Sequence, residues 1–265
     1  MGKISKNNIR ESVMVNYKEV ALRNNYGENS KSNCCSSPEN DLVNISEALG
    51  YSSSECTNVP EGSNLGIGCG NPQAIASLKK GEIVLDLGSG GGFDCFLASK
   101  SVGEKGIVIG VDMTVEMISK ARNNAKKGGY SNTEFRLGEI EHLPVADETI
   151  DVIISNCVIN LSPEKEKVFN EAFRVLKPGG RLAISDIVAI AEFPDEYIND
   201  ISLICGCMSG ASSIKVLQTF LHNAGFSEIK IEPKDKSREF IKDWRPESGI
   251  EDYIISATIE AVKKK

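Results

Sequence analysis

The 265 residues are 40% apolar and 25% charged, which excludes disorder, collagen-like repeats and low complexity for the chain as a whole and leaves a folded protein. Thirty basic against thirty-seven acidic side chains give a formal charge of −7, and no basic patch precedes the terminal Lys263, Lys264 and Lys265, so nucleic acid is not an expected partner. No apolar run approaches the roughly 20 residues of a membrane helix, and Asn7 and Asn8 stand where a signal core would begin; a cytoplasmic protein with no membrane partner and reduced cysteines is expected.

Three zones follow one another along the chain. Residues 1–64 are polar and rich in Asn, Ser and Glu. They predict a helix over 8–23, a loop over 24–40, and a mobile extension that carries cysteines. Residues 65–188 alternate β-branched runs at 83–87, 107–111, 133–137, 150–155 and 182–185 with helical stretches, the pattern of βαβ units. After the fourth run, Ser162 followed by Pro163 reads as a helix start, Val168, Ala172, Val175 and Leu176 as one apolar face, and Pro178, Gly179 and Gly180 as the stop. Residues 189–265 predict helices over 194–204 and 213–224, and strands over 229–231 and 253–260 that complete the sheet. The expected fold is α/β: a Rossmann-like, mainly parallel sheet with helices on both faces, plus a C-terminal α+β segment on the substrate side.

Between the first strand and its helix stands Gly88-Ser89-Gly90-Gly91-Gly92. Glycines let the backbone approach a ligand closely, while the helix start that follows offers free N–H groups. A dinucleotide fingerprint would need glycine where Phe93 stands, which disfavours NAD and FAD. Asp112 ends the second strand, where a carboxylate can accept both hydroxyls of a ribose, so a nucleoside is expected. Leu85-Asp86-Leu87-Gly88-Ser89-Gly90-Gly91-Gly92 and Gly110-Val111-Asp112-Met113-Thr114 resemble the class I S-adenosylmethionine-dependent methyltransferases over about residues 70–188. The resemblance implies S-adenosylmethionine as cofactor, its methionine end along Asp86, Gly88, Ser89 and Gly90 and its ribose on Asp112. It also implies that Met113, Glu139, Ile140 and Glu141 flank the adenine and that Asn156 closes the pocket.

Methyl transfer to oxygen or nitrogen usually needs a base, and the only histidines, His142 and His222, are poorly placed for one. After strand four the chain instead reads Ser155-Asn156-Cys157-Val158-Ile159-Asn160, which puts a thiol at the carboxyl end of the sheet, where such folds bind ligands. A thiolate suits a soft acceptor. Cys205-Gly206-Cys207 taken alone can share a ligand or simply pack. Together, Gly68-Cys69-Gly70-Asn71-Pro72, the Cys157 segment and Cys207-Met208-Ser209-Gly210-Ala211 resemble the arsenite methyltransferases, with similarity from residue 64 to 226. That resemblance implies that Cys69, Cys157, Cys207 and one N-terminal cysteine, Cys34 or Cys35, act on trivalent arsenic. The implied substrates are arsenite or its thiol conjugates, with thioredoxin or a small thiol as reductant. Cys95 reads as core, Cys205 as a stand-in for Cys207, and Cys56 as close enough in sequence to Cys69 to share a disulfide or a metalloid site. Two competing expectations are a C- or O-methyltransferase of a small organic molecule and a non-catalytic thiol-based metalloid-binding protein.

Overall fold

The strands form where the chain is β-branched and apolar enough to be buried on both faces, as parallel sheets require. In the computed structural model, which describes residues 4–23 and 39–265, β1 (Ile83–Leu87), β2 (Ile107–Asp112), β3 (Thr133–Leu137), β4 (Ile150–Asn156) and β5 (Leu176–Ala189) run parallel. The two-residue β6 (Ser212–Ser213) pairs with β5, and the antiparallel β7 (Ser227–Pro233) and β8 (Ile254–Val262) extend the same sheet in the order β3-β2-β1-β4-β5-β8-β7. The C-terminal strands therefore complete the sheet, as the sequence predicts.

The helices are α1 (Lys6–Arg23), α2 (Glu39–Ala48), α3 (Ser53–Thr57), α4 (Gln73–Ala76), α5 (Phe93–Val102), α6 (Val115–Gly128), α7 (Lys165–Val175), α8 (Asp195–Ile198), α9 (Ile201–Cys205), α10 (Ile214–Ala224) and α11 (Arg238–Trp244). One face of the sheet buries Leu87, Val111, Phe169 and Leu221, the other Val84, Phe96, Ile118 and Phe135. Each fully buried Phe or Leu contributes about 1.5–3 kcal/mol.

Several expectations need correction. Cys34 and Cys35, and residues 24–38 of the loop expected over 24–40, lie outside the described residues, while residues 39 and 40 begin α2 rather than ending that loop. Ser162 does not start α7, which opens at Lys165; its Oγ instead donates to Glu141 Oε1 at 2.6 Å and accepts from the Glu164 N–H. Leu176 is the first residue of β5, not the last of a helix face, so Pro178, Gly179 and Gly180 lie within a strand. The single helix expected over 194–204 is two, because Asp200 caps α9 by accepting from the N–H groups of Ser202 and Leu203. Short polar residues stop one helix as readily as they start the next.

Candidate active site at the carboxyl ends of the strands

β1 delivers the glycine turn to the carboxyl edge of the sheet, and α5 opens behind it at Phe93. Gly88 and Gly90 have φ of +71° and +50°, and a Cβ on Gly90 would meet nothing within 4 Å, so the turn borders open space. Ser89 Oγ is buried there without a partner. Asp112 accepts from the Gly90 and Thr114 N–H groups at 3.0 and 2.8 Å. Asp86 is 3% exposed and touches Cys95 Sγ at 3.2 Å; burial, with Asp94 adding, holds its carboxyl well above the usual carboxylate range. No ion pair to Asp86 exists among the described residues. A cationic group placed beside it would restore its charge. An orphaned hydroxyl, a carboxylate lacking a cation and open space over Gly90 fit the amino-acid end of S-adenosylmethionine.

On the other flank Met113 is half-buried and Ile140 belongs to the core. Glu141 is buried and accepts from Arg10 at 3.2 Å as well as from Ser162, while Glu139 is largely exposed, 3.7 Å from Arg10 Nε. Arg10, on α1, also holds Glu164 at 2.6 Å and pulls that carboxyl down to about 2. Sequence reasoning missed Arg10, because nothing in its own neighbourhood marks it.

Three elements bring three thiols together. Cys69 comes from the loop before α4, where Asn156 Oδ1 accepts its N–H at 3.0 Å and Ser256 Oγ donates to its carbonyl at 2.6 Å. Asn156 Nδ2 donates to the Gly70 carbonyl and to Tyr51 Oη, so its amide clamps this loop to the end of β4. Glycines flank Cys69 for a steric reason: a Cβ on Gly68 would stand 2.9 Å from Asn156 and one on Gly70 3.0 Å from Ser185. Cys157 follows β4 directly and its N–H continues the ladder to the Ser185 carbonyl at 2.9 Å, but its φ is +59°. Cys207, at φ +60°, ends α9: its N–H bonds to the Ile204 carbonyl and the Met208 N–H to the Leu203 carbonyl. That double closure is the Schellman helix ending, with cysteine in the left-handed position that glycine normally fills. Gly206, the residue a sequence reading would choose, has φ −84°.

Cys69 Sγ, Cys157 Sγ and a carboxylate oxygen of Asp186 lie within 4.8 Å of one another, all buried. Cys207 Sγ donates to the Cys157 carbonyl at 2.6 Å but stands outside that trio. Tyr17 of α1 donates its hydroxyl to the Cys205 carbonyl at 3.4 Å, beside Cys207. Burial pushes the Cys69 thiol up to about 11. The Cys207 thiol is raised well above the usual range by the neighbouring Cys157 and by burial; Cys157, pulled down by Cys207, is still held well up by Cys69 and by burial. Burial also raises Asp186 to about 6, against the backbone N–H groups of Ile187 and Ile159. Lys165 is lowered by burial, an effect that Asp186, Cys207 and Glu141 oppose. At neutral pH the thiols therefore carry their protons.

The remaining sulfurs lie elsewhere. Cys95 packs under the glycine turn, Cys56 joins Tyr51 and Leu97 in a separate cluster, and Cys205 ends α9 one helical residue before the turn. Cys56 and Cys69 belong to different clusters and form no disulfide. His142 and His222 are both exposed.

The methyltransferase-domain family matches residues 78–225, more than half of the chain. The chain is 55% identical over 230 residues to an arsenite methyltransferase of Halobacterium salinarum, covering 87% of this chain and 58% of that protein. It is 43% identical over 152 residues to a human arsenite methyltransferase, covering 54% of this chain and 40% of that one. Among solved structures it matches an arsenic(III) S-adenosylmethionine methyltransferase of Chlamydomonas reinhardtii with a TM-score of 0.57 at 30% identity, covering 87% of this chain and 74% of that one. The matches thus span about 40–58% of the length of these curated relatives.

Proposed function

This chain belongs to the arsenite methyltransferase family of S-adenosylmethionine-dependent methyltransferases, and from that premise we propose that it methylates trivalent arsenic held by Cys69, Cys157 and Cys207. The observation that carries the reading is the meeting of thiols from a loop, a strand end and a helix end, beside a turn built for the cofactor. Asp86, Gly88, Ser89 and Gly90 would hold the cofactor's amino-acid end and Asp112 its ribose. Bound there, it supplies an electrophilic methyl carbon on a sulfonium.

The thiols act as follows. Each Cys–SH replaces one oxygen of arsenite: an S–As bond forms, an As–O bond breaks, and the thiol proton leaves with the oxygen as water. No net charge enters the buried pocket, which explains how thiols held as high as about 11 still react. A thiol conjugate exchanges in the same way, releasing its own thiol. Three sulfurs make a pyramid and leave the arsenic lone pair free on the open side, so the acceptor needs no general base. What remains is positioning, worth roughly 7–11 kcal/mol when reacting atoms are held near contact. Cys207 turns from its present bond with Cys157 to complete the pyramid.

Methylation raises arsenic formally to the pentavalent state, so each cycle needs two electrons. We assign them to Cys69 and to Cys34 or Cys35, which close a disulfide that thioredoxin or a small thiol reopens. The described cysteines are free thiols and no helix among the described residues is long and apolar enough to cross a membrane. Both suit a cytoplasmic enzyme.

The test is arsenic speciation after incubating the chain with arsenite, cofactor and thiol. Cys157→Ser and Cys207→Ser should each lower methylation by about 10²-fold or more, since even a 1 Å misplacement of reacting groups can cost that much. Cys69→Ser should lose at least as much. Methylation that survives in Cys157→Ser would overturn the reading.

A further inference from the structure

Asp186 has no task in a three-sulfur arsenic site. Trivalent arsenic is satisfied by a pyramid of soft donors, whereas a carboxylate is a hard one. Yet Asp186 is 1% exposed and brings a carboxylate oxygen within 4.8 Å of both Cys69 Sγ and Cys157 Sγ. Its hydrogen bonds leave it able to coordinate. Oδ1 accepts from Asn160 Nδ2 and the Ile187 N–H, at 2.8 and 2.7 Å, which fills both lone pairs. Oδ2 accepts only from the Ile159 N–H, at 2.9 Å, and keeps one lone pair.

We propose that Cys69, Cys157 and Asp186, with Cys207 beside Cys157 as the fourth donor, form a site for a thiophilic divalent cation, zinc(II) or cadmium(II), that competes with arsenic for the thiols. Such ions take four tetrahedral donors and accept sulfur and carboxylate oxygen together. With metal–sulfur bonds of about 2.3 Å and metal–oxygen bonds of about 2.0 Å, neighbouring donors stand roughly 3.5–3.8 Å apart, so a trio within 4.8 Å closes on an ion by small side-chain movements. Each thiol releases its proton to solvent as it binds. Three thiolates and a carboxylate against a divalent cation leave excess negative charge, and Lys165, which faces Asp186 and Cys207, offsets part of it. The carboxylate thereby distinguishes the two occupants: the cation uses it and arsenic does not. The cation site stands on this geometry alone, while the competition rests on the function proposed above.

The experiment uses the full chain. Cadmium(II) titration should show one ion per chain by thiolate-to-metal absorption in the ultraviolet. X-ray absorption of the zinc(II) form should show one oxygen together with three sulfurs in the coordination shell. Asp186→Asn should weaken cadmium(II) about 10- to 100-fold, as losing a metal-site carboxylate partner does. In arsenite methylation, with each protein normalised to its own zinc-free rate, Asp186→Asn should need at least about tenfold more zinc(II) for half-inhibition. Resistance to inhibition is a gain that a misfolded variant cannot mimic. An all-sulfur shell in the unmodified chain, no stoichiometric binding, or equal cadmium(II) affinity in the folded variant would each overturn the proposal. Cadmium(II) bound through Asp186 in a chain that methylates no arsenic would keep the cation site and discard the methyltransferase reading.

Discussion

Asp94 shows how one residue ties the pocket to pH. It is buried under the glycine turn, accepts from Tyr51 Oη at 2.9 Å and is pushed up to about 6 by burial, from an ordinary 3.8. A carboxyl raised in this way keeps its proton longer in the folded chain than in the unfolded one. Its contribution to stability is therefore full below about pH 3.8 and is lost as pH rises through about 6. Asp94→Asn, which can still accept from Tyr51 but cannot ionise, should gain on the unmodified protein by about 1–3 kcal/mol between pH 4 and 7. Urea unfolding midpoints at the two pH values check this, and a constant gap would refute it. At this scale the sequence was legible where a motif names the residue: Cys69, Cys157 and Cys207 meet, and Asp86 and Asp112 line the turn. Asp186, Tyr17, Lys165 and Arg10 were not legible, because their roles come from groups on other elements: Arg10 faces Glu164 across 154 residues and Tyr17 faces Cys205 across 188, while Asp186 and Lys165 meet theirs only where β4, β5 and α7 converge.

Among the elements, α1 has the most to tell. Its inward side buries Val13 and Ala21; Arg10 reaches Glu141 and Glu164, Lys18 pairs with Glu116 at 3.0 Å, and Tyr17 bonds to the Cys205 carbonyl. One helix thus touches both the Glu141 flank and the turn that carries Cys207. Partly exposed ion pairs contribute little singly, and Arg10 is the only cation on α1 bonded to the buried Glu141. Arg10→Ala should therefore cost about 1 kcal/mol and raise amide exchange along 6–23 by roughly fivefold, with β4 and β5 unaffected. Exchange mass spectrometry reads this directly. Most strand positions were legible, since runs such as residues 150–155 can only be buried; the start of β5 at Leu176 and the two-residue β6 were not, because Pro178, Gly179 and Gly180 read as a helix stop and two residues carry no pattern. Helix ends were less so: Ser162 has the chemistry of a cap and spends it on Glu141, and Asp200 caps a second helix in the middle of what reads as one.

For the molecule as a whole, the order β3-β2-β1-β4-β5-β8-β7 sets β1, β4 and β5 side by side, so that the glycine turn, Cys157 and Asp186 open on one edge. A ligand binding only the folded chain stabilises it by RT ln(1 + [L]/Kd), about 2.7 kcal/mol at a hundred times Kd. For a chain of this length that is roughly 5–11 °C in Tm. S-adenosylmethionine should produce such a shift in the unmodified chain and in Cys207→Ser alike, whereas arsenite should produce it in the unmodified chain only. Calorimetry with each ligand separates the two pockets. The left-handed backbone at Cys157 and Cys207 carries a last consequence, for engineering. Glycine at either place would relax the main chain by about 1–2 kcal/mol relative to alanine. A laboratory selection for heat tolerance alone would be drawn to Cys157→Gly and Cys207→Gly, and its sturdiest survivors would be inert towards arsenic.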